Sequence, residues 1–200
     1  MKSKTIICFD LDGTITAQEI LPELSKEIGL YDEIFALTKA TISGIIPFKQ
    51  SFLLRCKLLK DVPIRRVHSI INNIELNQSI VDFINHNRDN CIVLTGNLDI
   101  WIEPLMKKIK CKFLCSKAKE QNGRLGEVLS VIDKGEAISN LSAPKIVSVG
   151  DGMGDVSMFE KSDVRISFGK VHYPIESLIK VSDYICFNEN TLCKLLNTQL

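Results

Sequence analysis

Four aspartates lie in two short motifs, and each motif directly follows an apolar stretch of the sequence. Asp10 and Asp12 lie in DLDGT, whereas Asp151 and Asp155 lie in GDGMGD. Four carboxylates brought together in a fold repel one another strongly unless a cation lies among them. Oxygen ligands of this kind suit Mg²⁺, which can also bind a phosphate oxygen. The two motifs therefore predict a metal-assisted reaction of a phosphate group.

Groups that suit a phosphate dianion lie between these motifs in the sequence. Thr95 offers a hydroxyl group and Gly96 a backbone N–H that a ligand can approach closely, both within LTGN. Lys134, in DKGEA, offers a cation. With the aspartates, these residues predict a phosphoryl-transfer site.

Short, nearly continuous apolar runs indicate the strands that would position these motifs. Such runs are typical of strands buried on both faces, and stretches with helical spacing separate most of them. We predict an α/β fold with a Rossmann-like, mainly parallel sheet flanked by helices. Ligands of such sheets bind at the carboxyl ends of the strands, where the motifs lie. The predicted strands are residues 5–9, 91–94, 146–149, 164–168 and 184–187.

A long interval after the first strand contains no convincing strand pattern. Its apolar residues, such as Ile20, Leu21 and Leu24, recur at helical spacing. A structureless loop of this length would be improbable, so we predict a helical cap at residues 17–75 and a core of residues 1–16 and 76–200. A hairpin is predicted around the turn-like QNGRLG.

Composition limits the possible partners and compartments. The 200 residues include 25 basic and 24 acidic ones, a formal charge of +1, which argues against nucleic acid or an anionic membrane as a partner. The sequence has neither a signal-peptide pattern nor a run of about 18 apolar residues, so we expect a cytoplasmic protein. The seven cysteines are expected to be reduced and mostly buried. The three histidines share no metal spacing, which favours surface or helix-end positions for them.

The ordered motifs FDLDGT, LTGN, Lys134 and GDGMGD resemble the four motifs of the haloacid dehalogenase superfamily of phosphatases, over nearly the whole chain. Within that superfamily the sequence is similar to the phosphoserine phosphatase branch. The segment TKATISGIIPFKQSFLLRCKLLKDVP resembles that branch's pattern of a Thr, a Gly, a Phe-x-x-Ser and an Arg before a Leu pair. Glu19 matches the glutamate of its cap.

The resemblance implies a mechanism that the chemistry of the residues also supports. Asp10 would attack phosphorus and form an aspartyl phosphate. Asp12 would give a proton to the leaving group and later take one from water. The resemblance places Mg²⁺ on Asp10, on the backbone carbonyl of Asp12 and on Asp151.

The remaining roles also follow from the resemblance. Thr95, Gly96 and Lys134 would bind the transferring phosphate oxygens. Asp155 would orient Lys134 and a metal-bound water. Glu19 and Arg55 would meet an ammonium group and a carboxylate of the substrate, respectively.

Two departures from the branch affect the expected substrate. Gly154 stands where the branch usually has Asn, and Asn97 stands where its second motif commonly has Gly. The prediction is a Mg²⁺-dependent monomer or homodimer that hydrolyses phosphoserine or a similar phosphorylated amino acid. Alternatives are a phosphatase for another small phosphometabolite (a sugar phosphate, a methylthio-sugar phosphate or a phosphocholine-like compound), a phospho-accepting signalling domain, and a binding protein without catalysis.

Overall fold

The computed structural model describes residues 5–200, which form one seven-stranded sheet in the spatial order β4-β3-β2-β1-β5-β6-β7. Neighbouring strands are parallel except for the antiparallel pair of β3 and β4. The predicted α/β fold with a mainly parallel sheet is confirmed. The strands are β1 Thr5–Phe9, β2 Cys91–Leu98, β3 Lys112–Gln121, β4 Arg124–Ser130, β5 Lys145–Gly150, β6 Val164–Phe168 and β7 Tyr184–Cys186.

Helices cover both faces of the sheet, because successive side chains of a strand point to opposite faces. Along β1, Ile7 and Phe9 belong to one apolar cluster and Cys8 to another. The first cluster includes residues from α1–α6 and α10, and the second includes residues from α7–α9. The helices are α1 Ile20–Ser25, α2 Tyr31–Ile42, α3 Phe48–Leu59, α4 Ile64–Asn72, α5 Gln78–His86, α6 Asp99–Lys108, α7 Lys134–Ser139, α8 Val156–Phe159, α9 Glu176–Val181 and α10 Glu189–Asn197.

The second strand extends further than predicted. It continues from residue 94 to Leu98, with an irregular register against β3 between Thr95 and Leu98. The LTGN motif therefore lies in the irregular end of a strand and not beyond it. The predicted hairpin is confirmed, because β3 and β4 join at Asn122 and Gly123, both with positive φ (52° and 73°).

Residues 17–75, all of which the structure describes, contain helices α1–α4 and no strand, as predicted. The chain leaves and re-enters the sheet at one point, where Thr16 pairs with Leu76 and the Ala17 N–H donates to the Glu75 carbonyl (2.8 Å). The insertion shares one apolar cluster with the sheet, to which Phe52 and Phe9 both belong. The division into cap and core at this paired neck stays a prediction.

The structure also bears on the cysteine and membrane expectations. All seven cysteines lie within the described range and are free thiols, five of them buried. Burial raises the pKa of Cys8 and of Cys56 to about 12, so both are protonated at neutral pH. No helix between residues 5 and 200 is long and apolar enough to cross a membrane.

Candidate active site

A cavity of about 300 Å³ lies between the carboxyl ends of β1, β2 and β5 and the helices α2 and α3 of the insertion. Its size suits a small metabolite. Eight of the nine predicted site residues line it: Asp10, Asp12, Glu19, Arg55, Gly96, Lys134, Asp151 and Asp155. The motifs, which lie up to 145 residues apart in sequence (Asp10 to Asp155), thus meet at one edge of the sheet.

Lys134 joins two of the aspartates. It is the first residue of α7, whose N-terminus is capped by the Asp133 side chain accepting from the Glu136 N–H (2.9 Å). The Nζ of Lys134 donates to Oδ1 of Asp10 and to Oδ1 of Asp155, the latter at 2.7 Å. Burial opposes the charged form, but the two carboxylates outweigh it and raise the pKa of Lys134. The lysine is therefore a fixed cation beside Asp10.

Asp155 is fully engaged by hydrogen bonds. Its Oδ1 accepts from Lys134, and its Oδ2 accepts from the backbone N–H groups of Asp151 (3.0 Å) and Gly152 (3.1 Å). Any side chain at Gly150 would overlap the Asp155 carboxylate. Asp155 thus fixes the positions of Lys134 and of the Asp151 backbone.

Asp151 has a free carboxylate oxygen. Its Oδ2 is buried and has no hydrogen-bond partner among residues 5–200. Carboxylate oxygens of Asp10, Asp151 and Asp155 lie within 4.8 Å of one another. Burial, together with neighbouring carboxylates, raises the pKa of Asp10 and of Asp151 well above the usual value. Because Asp155 is already engaged, Asp10 and Asp151 are the carboxylates left to hold a cation, and an oxygen-ligated divalent ion fits this group.

Asp12 accepts two hydrogen bonds at the cavity wall. Its Oδ1 accepts from the Ile20 N–H (3.0 Å), and its Oδ2 accepts from the side-chain amide of Asn97. Burial, and secondarily the Glu19 carboxylate, raises the pKa of Asp12 to about 7. A carboxyl group with this pKa can both give and take a proton near neutral pH.

Three consecutive residues at the irregular end of β2, residues 95–97, make different contacts. Thr95 is fully buried and does not line the cavity; its Oγ1 accepts from the Asn97 backbone N–H (3.1 Å). Gly96 lines the cavity, and a Cβ there would overlap the ring of Phe48. Asn97 reaches Asp12, a contact that the sequence analysis missed. No spacing signal could have shown it, since it depends on the register shift in β2.

Arg55 and Glu19 lie on the insertion side of the cavity. Arg55 is only 4% exposed; its Nη1 donates to Thr38 Oγ1 (2.8 Å) and its Nε to the Ser51 carbonyl (3.2 Å). Burial lowers the pKa of Arg55, and the Glu19 and Asp12 carboxylates oppose that effect. The Nη2 group has no hydrogen bond within the described part of the chain, so it can bind a carboxylate.

Two further positions shape the site. The Nε2 of His172, in the partly exposed loop between β6 and α9, lies 3.0 Å from Oε1 of Glu19, a contact that the sequence analysis did not predict. Gly154 lines the cavity, and a Cβ there would meet no atom within 4 Å. The absence of Asn at this position therefore leaves open space.

Comparisons with known proteins agree with this arrangement. The family model for haloacid dehalogenase-like hydrolases matches residues 7–160. The phosphoserine phosphatase of Methanocaldococcus jannaschii is 30% identical over 98% of this chain and 97% of its own length. That of Archaeoglobus fulgidus is 28% identical over 84% of this chain and 53% of its own length.

Solved structures show the same likeness. A substrate-bound phosphoserine phosphatase complex superposes with a TM-score of 0.83 and 26% identity, covering 98% of this chain and 99% of that one. A phospho-aspartyl intermediate analogue of phosphoserine phosphatase superposes with a TM-score of 0.82 and 25% identity, covering 97% of this chain and 99% of that one. The chain therefore belongs to the haloacid dehalogenase-like hydrolases and is a phosphatase similar to the phosphoserine phosphatases.

Proposed function

We propose that this phosphatase hydrolyses phosphoserine, with Asp10 as nucleophile, Asp12 as general acid and base, and Mg²⁺ as cofactor. The observation that carries the proposal is a single cavity holding Asp10, Asp12 and an unpaired donor of Arg55. The names of the similar proteins support the choice of phosphoserine.

In the first step a carboxylate oxygen of Asp10 forms a bond to phosphorus, and the bond from phosphorus to the serine oxygen breaks. Asp12 gives its proton to that oxygen, so serine leaves as the neutral alcohol. Lys134 donates to the Asp10 carboxylate and balances the charge that accumulates beside it.

In the second step a water molecule attacks phosphorus and Asp12 takes its proton. The bond between Asp10 and phosphorus breaks, which releases inorganic phosphate and restores the carboxylate. The hydrogen bonds from Ile20 and Asn97 hold Asp12 in place for both transfers.

The proposed Mg²⁺ ligands are Asp10, the backbone carbonyl oxygen of Asp12, and Asp151. The free Oδ2 of Asp151 and the raised pKa values of the two aspartates support a cation there. When bound, the ion would neutralise phosphate charge and orient the phosphate.

The proposed phosphate donors are the Gly96 N–H, Lys134 and the Thr95 hydroxyl. Gly96 and Lys134 line the cavity, whereas Thr95 is buried behind it; its Oγ1 accepts from the Asn97 N–H, which leaves the Thr95 O–H to donate.

The proposed amino-acid subsite consists of Glu19 for the ammonium group and Arg55 for the carboxylate. Helices α2 and α3 close the cavity over this subsite, which limits the substrate to a small molecule and disfavours an open phospho-accepting signalling face. The pure protein should be assayed with Mg²⁺ on phosphoserine, phosphoethanolamine, 3-phosphoglycerate and sugar phosphates. The highest kcat/KM is expected for phosphoserine; a higher value for a sugar phosphate would overturn the substrate assignment, and no hydrolysis of any compound would overturn the proposal.

Substitution of Arg55 tests the carboxylate subsite. Arg55→Ala is expected to lower kcat/KM for phosphoserine by about 10²- to 10³-fold, because a buried charge partner of the substrate is removed. Because phosphoethanolamine lacks the carboxylate, its kcat/KM should fall much less. Arg65→Ala, which replaces an exposed arginine on α4, serves as the control. Equal losses for both substrates would show that Arg55 does not recognise the carboxylate.

The raised carboxyl pKa values predict how stability depends on pH and metal. Folded Asp10, Asp12 and Asp151 hold protons more tightly than in the unfolded chain. The Asp12 contribution to stability is complete below the ordinary pKa of 3.8 and is lost as the pH rises through about 7, its folded pKa. The contributions of Asp10 and Asp151 are lost in the same direction, as the pH rises through their raised pKa values. In EDTA the Tm should fall by about 5–10 °C from pH 5 to pH 8.

Scanning calorimetry at the two pH values measures this fall. Mg²⁺ should raise the Tm more at pH 8 than at pH 5, because it binds the ionised carboxylates. Asp151→Asn should make the pH dependence shallower. A Tm that rises with pH in EDTA would contradict the explanation.

A further inference from the structure

A second group of possible metal ligands lies beside the proposed Mg²⁺ site. Carboxylate oxygens of Glu19 and Asp151 and a ring nitrogen of His172 all lie within 4.8 Å of one another. The side chains of Glu19 and His172 are 12% and 21% exposed, so an ion could reach them from solvent. We propose that these three residues form a second site, which shares Asp151 with the proposed Mg²⁺ site, for a transition metal such as Zn²⁺ that inhibits the enzyme when bound.

The Asp151 carboxylate approaches the ring of His172 beside Gly13. Asp151 is 4% exposed, and its Oδ2 has no partner in the part of the chain that the structure describes. A Cβ built on Gly13 would overlap this Oδ2 and lie 3.2 Å from Cδ2 of His172. The oxygen and the imidazole ring therefore approach the same point, and only glycine, here with φ of +70°, leaves room for both.

The ligand types select a transition metal over Mg²⁺. One imidazole nitrogen and two carboxylates suit Zn²⁺ and similar ions, whereas Mg²⁺ and Ca²⁺ prefer oxygen ligands alone. Ligands bound to zinc at about 2.0–2.2 Å in tetrahedral geometry lie roughly 3.4 Å apart. The 3.0 Å between Glu19 Oε1 and His172 Nε2 is close to that separation. Small side-chain shifts would complete the site, with water as a fourth ligand.

Inhibition, unlike binding, rests on the proposed function. A bound Zn²⁺ would hold the Glu19 carboxylate that we assign to the substrate ammonium group. It would also share Asp151 with the Mg²⁺ site. Zinc inhibition should therefore be competitive with phosphoserine at saturating Mg²⁺.

Isothermal titration with Zn²⁺ at saturating Mg²⁺ tests binding without any assay of activity. We expect one Zn²⁺ per wild-type chain and an affinity at least tenfold weaker in both His172→Gln and Glu19→Gln. His86→Gln, at the end of α5, is the matched control and should bind as the wild type does. The zinc concentration for half inhibition, measured relative to each variant's own zinc-free activity, should rise at least tenfold in His172→Gln.

Three results would overturn the site: no Zn²⁺ binding at saturating Mg²⁺, unchanged affinity in His172→Gln and Glu19→Gln, or zinc inhibition that Mg²⁺ relieves equally in all variants. The last would place zinc at the Mg²⁺ ligands. If phosphoserine is not hydrolysed but His172→Gln and Glu19→Gln both bind Zn²⁺ more weakly than the wild type, the metal site stands and only the proposed function fails.

Discussion

Asp10→Asn is expected to lower phosphate release by about 10⁴-fold or more, since the amide cannot attack phosphorus and the acyl phosphate cannot form. The fold should persist. Asp10 is one of several carboxylates that repel one another, and Lys134 keeps its hydrogen bond to Asp155. In EDTA the Tm of the variant should therefore equal or exceed that of the wild type.

Asp133→Asn is the matched control for this experiment. Asp133 lines the same cavity, but its side chain caps α7, and asparagine caps a helix equally well. Its kcat should stay within about tenfold of the wild type. If Asp10→Asn retained a comparable activity, Asp10 would not be the nucleophile.

Asp12→Asn should separate the two chemical steps. With p-nitrophenyl phosphate the leaving group needs no proton, so the phosphoenzyme forms; its hydrolysis, which needs the base, should slow by about 10²–10⁴-fold. A burst of one equivalent of nitrophenol per active site is therefore expected, followed by slow turnover. Rapid-quench or stopped-flow absorbance measures the burst.

Phosphoserine provides the internal comparison for Asp12→Asn. Its alkoxide leaving group needs the acid, so the first step should be slow and no burst of serine should appear. Equal behaviour of the two substrates, with no phosphoenzyme from either, would argue against an acid and base role for Asp12.

The strands of the parallel sheet could be predicted because strands buried on both faces leave nearly continuous apolar runs; their order in the sheet was not predicted. The run at residues 5–9 became β1, with Ile7 and Cys8 packed on opposite faces of the sheet. The cavity could be predicted for a related reason: the motifs follow parallel strands, and their carboxyl ends meet at one edge. Asp10 and Asp151 follow β1 and β5, which are neighbours in the sheet.

Contacts set by irregular backbone could not be predicted in this way. The register shift in β2 turns the Thr95 hydroxyl toward Asn97 and brings the Asn97 amide to Asp12. His172 reaches Glu19 from the loop after β6, 153 residues away in the chain. No pattern of residue spacing in the sequence predicts either contact, because each depends on the position of a loop or strand end in the folded structure.

Trapping the covalent intermediate tests the central claim most directly. The enzyme is mixed with phosphoserine and Mg²⁺, quenched in acid within one turnover and reduced with borohydride, which converts an aspartyl phosphate to homoserine. Peptide mass spectrometry is expected to find homoserine at position 10 and at no other aspartate. Phosphate release with no modified residue, or modification at Asp151 in place of Asp10, would contradict nucleophilic attack by Asp10.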